Sequence, residues 1–211
     1  MICIPLGGIE FEECMAMARK EAFVEFRFDL LMLSLDQVRE VVKVANSCIA
    51  TCRPGKMDEA DRQEILKTAI LSGADYVDIE VESDRAFMNE IILSAKIHDT
   101  AIIISYHNFE GTPAQDELEQ IVSDCRKAGA DVVKVACQVN HIGDLQNLFK
   151  LYNRDLRMVI IGMGEQGVIS RIAAPLLGAE FTFAAAGAGQ ETAPGQISKD
   201  KLLSIIRQIQ D

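Results

Sequence analysis

Apolar residues along the chain alternate between two spacings from one end to the other. Short apolar runs rich in Val, Ile and Phe predict buried strands that begin near Ile2, Phe23, Ser47, Tyr76, Thr100, Val132, Arg157 and Glu180. Between these runs, apolar residues recur at the spacing of about 3.6 residues that is typical of a helix burying one side. This second pattern predicts helices over residues 10–20, 35–45, 59–71, 84–97, 114–127, 142–152, 166–177 and 198–210.

The order of these elements decides the expected fold class. Eight strands, each followed by a helix, predict a single α/β domain of the (β/α)8 TIM-barrel type. A doubly wound open sheet is the alternative, although such a sheet usually has fewer strands in its core. No linker or low-complexity segment interrupts the pattern, so we expect residues 1–211 to form one domain.

A short repeat marks three of the predicted connections from a helix to a strand. The repeats are Gly73-Ala74-Asp75, Gly129-Ala130-Asp131 and Gly178-Ala179-Glu180. Glycine adopts the left-handed conformation that follows a helix C-terminus without steric cost. Each repeat therefore predicts a helix stop followed by a short loop.

A lysine and a histidine interrupt runs that a parallel sheet should bury on both faces. Lys134 lies inside the apolar run 132–137, on the face opposite to Val133 and Val135. It is either an amine held in a pocket for chemistry or a lysine whose stem covers apolar surface while its head reaches water. His107 ends the run 102–107, and the two residues together offer a general acid/base and an imine-forming amine.

Charged residues also share one alternating face of other predicted strands. They are Glu25, Arg27 and Asp29 in the run 24–29, Arg53 at the end of the run 48–53, and Asp78 and Glu80 in the run 76–81. All lie near the carboxyl ends of strands, where barrels place their active sites. A buried network of compensating salt bridges is the alternative for Asp29, Asp78 and Glu80.

Composition excludes several classes of function. The formal net charge of −11 argues against binding to nucleic acid or an acidic membrane, because both need a basic surface. The six cysteines lie mostly in apolar runs and the three histidines have no paired spacing, so we expect reduced core thiols and no metal site. The N-terminus lacks the features of a signal peptide, and no segment has the length of a membrane span. The sequence therefore predicts a cytoplasmic protein.

An ordered set of motifs resembles type I 3-dehydroquinate dehydratase, the Schiff-base enzyme of the shikimate pathway, which leads to aromatic amino acids. The resemblance extends from Glu25 to Gln196, and the set is specific although each motif alone is weak. The motifs are Glu25-Phe26-Arg27-Phe28-Asp29, Arg53, Ser105-Tyr106-His107-Asn108-Phe109, Val133-Lys134-Val135-Ala136, Gly162-Met163-Gly164, Ile169-Ser170-Arg171 and Thr192-Ala193-Pro194-Gly195-Gln196.

The resemblance implies a lyase that converts 3-dehydroquinate to 3-dehydroshikimate with no metal or other cofactor, and it implies a homodimer. Lys134 would form the imine with the substrate ketone, and His107 would be the general acid/base. Arg171 would hold the substrate carboxylate, since its planar fork gives two parallel hydrogen bonds. The loop 187–196 would close over the substrate. The expected substrate-binding residues are Glu25, Arg27, Arg53, Arg171, Thr192 and Gln196.

The sequence departs from the family pattern at three places. Met57 stands where many members carry an acidic residue, so the group that would orient His107 is missing from that position. Thr192 stands where serine is usual, which keeps the hydroxyl and adds a methyl group. The chain begins at its first predicted strand, so we expect a barrel that lacks the additional N-terminal strands beneath it.

Two other functions fit parts of the pattern. Another Schiff-base barrel enzyme, such as a class I aldolase acting on a phosphorylated sugar, would use the same lysine but would need a phosphate site after the last two strands. A catalytically impaired homologue that only binds a metabolite is the second alternative, and Met57 is the residue that favours it.

Overall fold

A computed structural model of the chain describes residues 1–152, 155–187, 189, 192–193 and 195–210. Two compact units make up the fold. Unit 1 contains Met1–Ile4 and the described residues of 104–211, and unit 2 contains Pro5–Ile103. That residues 1–211 form one domain stays a prediction.

The strands form one parallel sheet, and each begins within two residues of its predicted start. The hydrogen-bonded order is β7-β6-β5-β4-β3-β2-β1-β8. The backbone N–H of Glu180, just before β8, donates to the carbonyl of Met158 in β7 at 2.9 Å, which joins the two ends of that order. The fold is the predicted α/β barrel of eight parallel strands. The strands are β1 Ile2–Leu6, β2 Val24–Arg27, β3 Cys48–Thr51, β4 Tyr76–Glu80, β5 Ala101–Asn108, β6 Val132–Gln138, β7 Met158–Met163 and β8 Thr182–Phe183.

Side-chain caps help to define where several helices begin. The Ser34 hydroxyl accepts from the N–H of Gln37, whose side chain in turn accepts from the N–H of Ser34, so that two free amides at the helix start are satisfied. Asp58 and Asp84 also cap their helices, each through one carboxylate oxygen that accepts from the backbone but without the return bond of Ser34. The α-helices are α1 Phe11–Lys20, α2 Phe28–Leu31, α3 Leu35–Val44, α4 Glu59–Leu71, α5 Arg85–Ile97, α6 Gln115–Lys127, α7 Ile142–Lys150, α8 Val168–Ala173 and α9 Lys199–Gln210.

The prediction that residues 24–29 form one strand with Asp29 on its polar face is wrong. β2 ends at Arg27, and Asp29 lies in the short helix α2. The Asp29 carboxylate accepts two hydrogen bonds from the Arg27 guanidinium, at 3.0 and 2.7 Å, which favours a turn over an extended chain. The helix then ends at Met32, whose φ of 51° lies in the left-handed region.

The helix predicted over 166–177 is broken into three pieces. A 3-10 turn at Glu165–Gly167 precedes α8, and a second 3-10 turn follows at Ala174–Leu176. Pro175 lies in that second turn and has no backbone N–H to donate, so it cannot continue the α-helical pattern.

The cysteine prediction is confirmed. All six thiols are free and buried. His98 and His141 are exposed at the end of α5 and the start of α7. Gly129, in the second repeat, follows α6 with a φ of 99°, as a helix stop requires. Among the described residues, no helix combines the length and the apolar composition needed to cross a membrane.

Candidate active site

The amine of Lys134 is enclosed in unit 1 by β6 and β8. The residue is only 5% exposed, and its neighbours Val133 and Val135 are buried as well. Its Nζ atom lies 4.8 Å from the centre of the Phe183 ring. The face of an aromatic ring attracts a cation, so Phe183 provides an apolar wall that still tolerates a charged amine. The exposed fraction is too small for a lysine whose head extends into bulk water.

His107 is on β5, the strand that is hydrogen-bonded to β6. Its ring is half-buried and stacks on Phe109, with 6.3 Å between the ring centres and an angle of 13° between the planes. The backbone N–H of Asn108 donates to the sulfur of Cys137, so the carboxyl ends of β5 and β6 lie next to each other. The predicted amine and the predicted acid/base are therefore carried by adjacent strands of unit 1.

Arg171 is one of the largest side chains that are fully buried, with 1% exposure. Burial lowers the pKa of its guanidinium from 12.5 to about 10. The Ser170 hydroxyl accepts from the N–H of Gly162 at 2.8 Å, and the Thr182 hydroxyl donates to the Arg171 carbonyl at 3.1 Å. These bonds attach α8 to β7 and β8. A buried guanidinium held on a fixed helix is suited to binding a carboxylate.

Thr192 and Gln196 contact one another directly. The backbone N–H of Thr192 donates to the side-chain oxygen of Gln196 at 2.8 Å, and the Gln196 amide donates to the Thr192 hydroxyl at 3.3 Å. Gly195, between them, has a φ of 76°, and a Cβ atom there would strike the backbone of Gly164. The loop 187–196 is described only in part, because residues 188, 190, 191 and 194 lie outside the described residues.

Arg53 is the centre of an ionic cluster in unit 2. Its guanidinium donates to both oxygens of Asp78 at 2.9 Å, and it also donates to Glu80 at 2.5 Å. Burial acts to lower the pKa of Arg53, but the charges of Asp78 and Glu80 raise it overall. The compensated network considered for these carboxylates is therefore present, and it holds Arg53 in one position.

Glu25 and Arg27 are also in unit 2, and each has a polar partner. The buried Glu25 carboxylate accepts from the Thr51 hydroxyl at 2.8 Å. Arg27 is paired with Asp29, as described for the end of β2. Burial acts to lower the pKa of Arg27, while the bond to Asp29 and the charge of Glu25 raise it overall.

Two further residues, Phe183 and Arg62, shape these clusters. Phe183 is an apolar residue of β8, and nothing in its sequence context indicates its place beside Lys134. Arg62 in α4 donates a hydrogen bond to the Glu80 carboxylate and is 4% exposed. A signal for Arg62 was available, because this charged residue occupies the apolar stripe of its helix together with Ile65, Leu66 and Ala69.

Met57 contributes a weak sulfur contact to unit 2. The Cys52 thiol donates to the Met57 sulfur, with 3.9 Å between the two sulfur atoms. A thioether accepts hydrogen bonds only weakly and carries no charge. In the part of the chain that the structure describes, no group of three or more His, Cys, Asp or Glu residues could hold a metal ion.

Comparisons with known proteins agree over almost the whole chain. Residues 2–211 match the family model described as type I 3-dehydroquinase. The 3-dehydroquinate dehydratase of Methanococcus maripaludis strain C7 is 36% identical over 223 residues, covering 99% of this chain and 100% of the relative. That of Methanocaldococcus jannaschii is 34% identical and covers 98% of both chains. The solved 3-dehydroquinate dehydratase of Geobacillus kaustophilus superposes with a TM-score of 0.88 at 24% identity, over 99% of this chain and 90% of that one.

Proposed function

The chain belongs to the type I 3-dehydroquinase family, and we propose that Lys134 and His107 perform the chemistry of that family. The activity is the dehydration of 3-dehydroquinate through a Schiff base between an enzyme amine and the substrate ketone. Lys134 is the amine in this proposal, and His107 is the general acid/base. The observation that carries the proposal is the burial of Lys134 at 5% exposure, on the strand adjacent to that of His107.

The reaction proceeds through an imine. The neutral amine of Lys134 adds to the ketone carbon. The carbinolamine then takes a proton from protonated His107 and loses water to give a protonated imine. The iminium withdraws electrons and so acidifies the adjacent carbon–hydrogen bond. His107 removes that proton and then protonates the departing hydroxyl, which leaves as a second water molecule. Hydrolysis of the imine releases 3-dehydroshikimate and restores the amine.

The remaining site residues bind and order the substrate in this proposal. Arg171 pairs with the substrate carboxylate, because a buried guanidinium gains most from an anionic partner. The residues that would bind hydroxyl groups or order the pocket are Glu25, Arg27, Arg53, Thr192 and Gln196. The turn that joins Thr192 to Gln196 supports a role in covering the substrate, since it is already hydrogen-bonded within itself.

Position 57 has no part in the acid/base chemistry of this proposal. The Met57 side chain can neither accept a proton nor orient an imidazole by charge. His107 is on β5 and stacks on Phe109. Both catalytic groups are kept, which favours an active enzyme over a homologue that only binds a metabolite.

Reduction with borohydride in the presence of 3-dehydroquinate tests the assignment. Borohydride converts an imine to a stable secondary amine, so peptide mass spectrometry is expected to find added mass on Lys134 and on no other lysine. A labelled peptide that lacks Lys134, or no labelling in a sample that turns over substrate, would contradict the proposal. Competition by inorganic phosphate against the substrate would instead favour the aldolase that acts on phosphorylated sugars.

The cellular setting and the assembly extend the proposal. We propose a cytoplasmic enzyme that works as a homodimer in the biosynthesis of aromatic compounds. The net charge of −11 supports a protein that binds neither nucleic acid nor an acidic membrane. Light scattering coupled to size-exclusion chromatography measures the assembly, and a mass close to 23.2 kDa would contradict the dimer.

A further inference from the structure

Arg62 is a buried arginine that no role in the reaction yet explains. Its side chain is 5% exposed and is held by three groups. The Nε atom donates to the carbonyl of Cys52 at 3.0 Å, and a terminal nitrogen donates to Glu80 at 3.1 Å. The guanidinium also lies over the Phe87 ring, at 4.7 Å from its centre. Burying a charge costs free energy, which the partners of Arg62 must offset. The arrangement of those partners depends in turn on Arg62.

Glu80 links Arg62 to the proposed substrate-binding residue Arg53. One carboxylate oxygen accepts from Arg62, and the other accepts from Arg53 at 2.5 Å. Each oxygen of Glu80 has a different arginine partner. Arg62 therefore fixes the plane of the Glu80 carboxylate, to which Arg53 donates its hydrogen bond. The bond to the Cys52 carbonyl also fixes the backbone immediately before Arg53.

Charge balance gives a second reason for the arrangement. Arg53 and Arg62 face Asp78 and Glu80, so two positive charges oppose two negative charges inside the cluster. Without Arg62, two buried carboxylates would share one guanidinium. Arg53 would then be drawn more tightly to its own acids and would be less available to a hydroxyl or carboxylate of the substrate.

We propose that Arg62 is a positioning residue that acts through Glu80 to hold Arg53 ready for substrate. The inference rests on the function proposed for Arg53, and it adds a residue that does not itself touch the substrate. Arg62 affects substrate binding in the ground state and the transition state alike, so its loss changes KM more than kcat.

The first test compares Arg62→Met with a matched loss of an arginine elsewhere. Arg62→Met is expected to raise KM for 3-dehydroquinate about tenfold while kcat changes by less than about threefold. The control is Arg157→Met, which breaks the pair of Arg157 with Glu180 in unit 1 and is expected to leave KM unchanged. A folded Arg62→Met protein with unchanged KM would overturn the proposal.

The second test separates charge balance from a loss of folding. Arg62→Met combined with Glu80→Gln leaves Asp78 and Arg53 as a balanced pair, so the double variant is expected to have a lower KM than Arg62→Met. A double variant with no such recovery contradicts the coupling through Glu80. If Arg62→Met does not fold, Arg62→Lys decides the matter, because it keeps the charge and loses the forked geometry. Its KM is expected to rise severalfold, and an unchanged KM would overturn the inference.

Arg53→Lys distinguishes this inference from the proposed function. A raised KM in Arg53→Lys, with no change in the Arg62 variants, would reject the positioning role and keep the function. An unchanged KM in Arg53→Lys would reject the role of Arg53 and, with it, the inference. Wild-type protein that does not convert 3-dehydroquinate would reject the function itself.

Discussion

The amine of Lys134 lies over the ring of Phe183, with 4.8 Å between Nζ and the ring centre. Both side chains are almost completely buried, at 5% and 3% exposure. An imine-forming lysine must change between a charged and a neutral state within one site. An aromatic face suits both states because it attracts the ammonium group and gives the neutral amine an apolar wall.

Replacing Phe183 with leucine tests whether the ring positions the amine. Phe183→Leu leaves a partly filled space beside Lys134, so the free energy of unfolding is expected to fall by about 1–2 kcal/mol. The rate of borohydride trapping at Lys134 is expected to fall severalfold as well, because the amine loses its fixed orientation. Urea unfolding and timed mass spectrometry measure the two effects.

Phe26→Leu is the control for the Phe183 variant. Phe26 is fully buried and stacks on Phe28 in unit 2. This control is expected to lose a similar amount of stability while the trapping rate at Lys134 stays the same. Equal trapping rates in wild type and Phe183→Leu would show that the ring only fills space.

Arg171 offers a variant that should lose function but not stability. Burial lowers the pKa of its guanidinium to about 10, which means that the folded protein disfavours the charge in the absence of an anion. Arg171→Met is therefore expected to keep or increase the free energy of unfolding. Its KM is expected to rise about a hundredfold, because the proposed partner of the substrate carboxylate is lost.

Urea unfolding of Arg171→Met measures its free energy of unfolding, and steady-state kinetics measure its KM. Arg126→Met, at an exposed position of α6, is the control and is expected to change neither. A large loss of stability in Arg171→Met, with KM near the wild-type value, would make Arg171 a structural residue and remove it from the substrate site.

The barrel could be predicted from the sequence because its strands and helices have different periods. Each strand starts within two residues of its predicted position. The prediction that Asp29 lies in a strand is wrong for a local reason. Its carboxylate binds the guanidinium two positions earlier, and such a contact between side chains does not appear in a pattern of apolar and polar residues. The break at Pro175, in contrast, has a cause that the sequence contains. Proline has no backbone N–H, so its presence indicates that a continuous α-helix is unfavourable at this position.

The pairing of the site residues could not be predicted in the same way. The alternating face of the strands selects Lys134 and Arg53, but it does not reveal what lies beside them. Phe183 is an ordinary apolar residue in sequence, and only the fold brings it to the amine. Arg62 was detectable as a charge in an apolar stripe, whereas its link to Arg53 depends on how Glu80 divides its two oxygens.

The contact of Gly195 with Gly164 predicts a variant in which function changes before stability. A Cβ atom at residue 195 would strike the Gly164 backbone, and the φ of 76° is unfavourable for alanine. Gly195→Ala is therefore expected to displace the turn of Thr192 and Gln196 and to lower kcat/KM about tenfold or more. The melting temperature is expected to change little, because Thr192, Ala193 and Gln196 are half-buried and do not belong to the apolar core.

Gly189→Ala is the control for Gly195→Ala. Gly189 has a similar φ of 82°, but no atom of the described residues, apart from its chain neighbours, lies within 4 Å of the position of a Cβ there. The control therefore carries the backbone strain without the collision. Equal losses of kcat/KM in the two variants would show that backbone strain, and not the contact with Gly164, is responsible.

Four buried thiols predict how stability depends on pH in the alkaline range. Burial raises the pKa of Cys14, Cys48, Cys52 and Cys137 from 9.0 to about 12. Above pH 9.0 the unfolded chain releases these protons while the folded chain keeps them. The stability that the thiols contribute is thus complete below pH 9.0 and is lost as the pH rises towards 12. Each thiol adds a slope of up to about 1.4 kcal/mol per pH unit in this window.

Urea unfolding under reducing conditions, from about pH 8 to about pH 10, measures this slope. Cys137→Ala is the informative variant, because it removes one of the four thiols together with its own share of the slope. Its free energy of unfolding is expected to be lower than that of the wild type at the acidic end, where a buried side chain has been lost, and the two curves are expected to converge as the pH rises. Parallel curves for the two proteins would show that Cys137 ionises equally in the folded and unfolded chains, which its complete burial opposes.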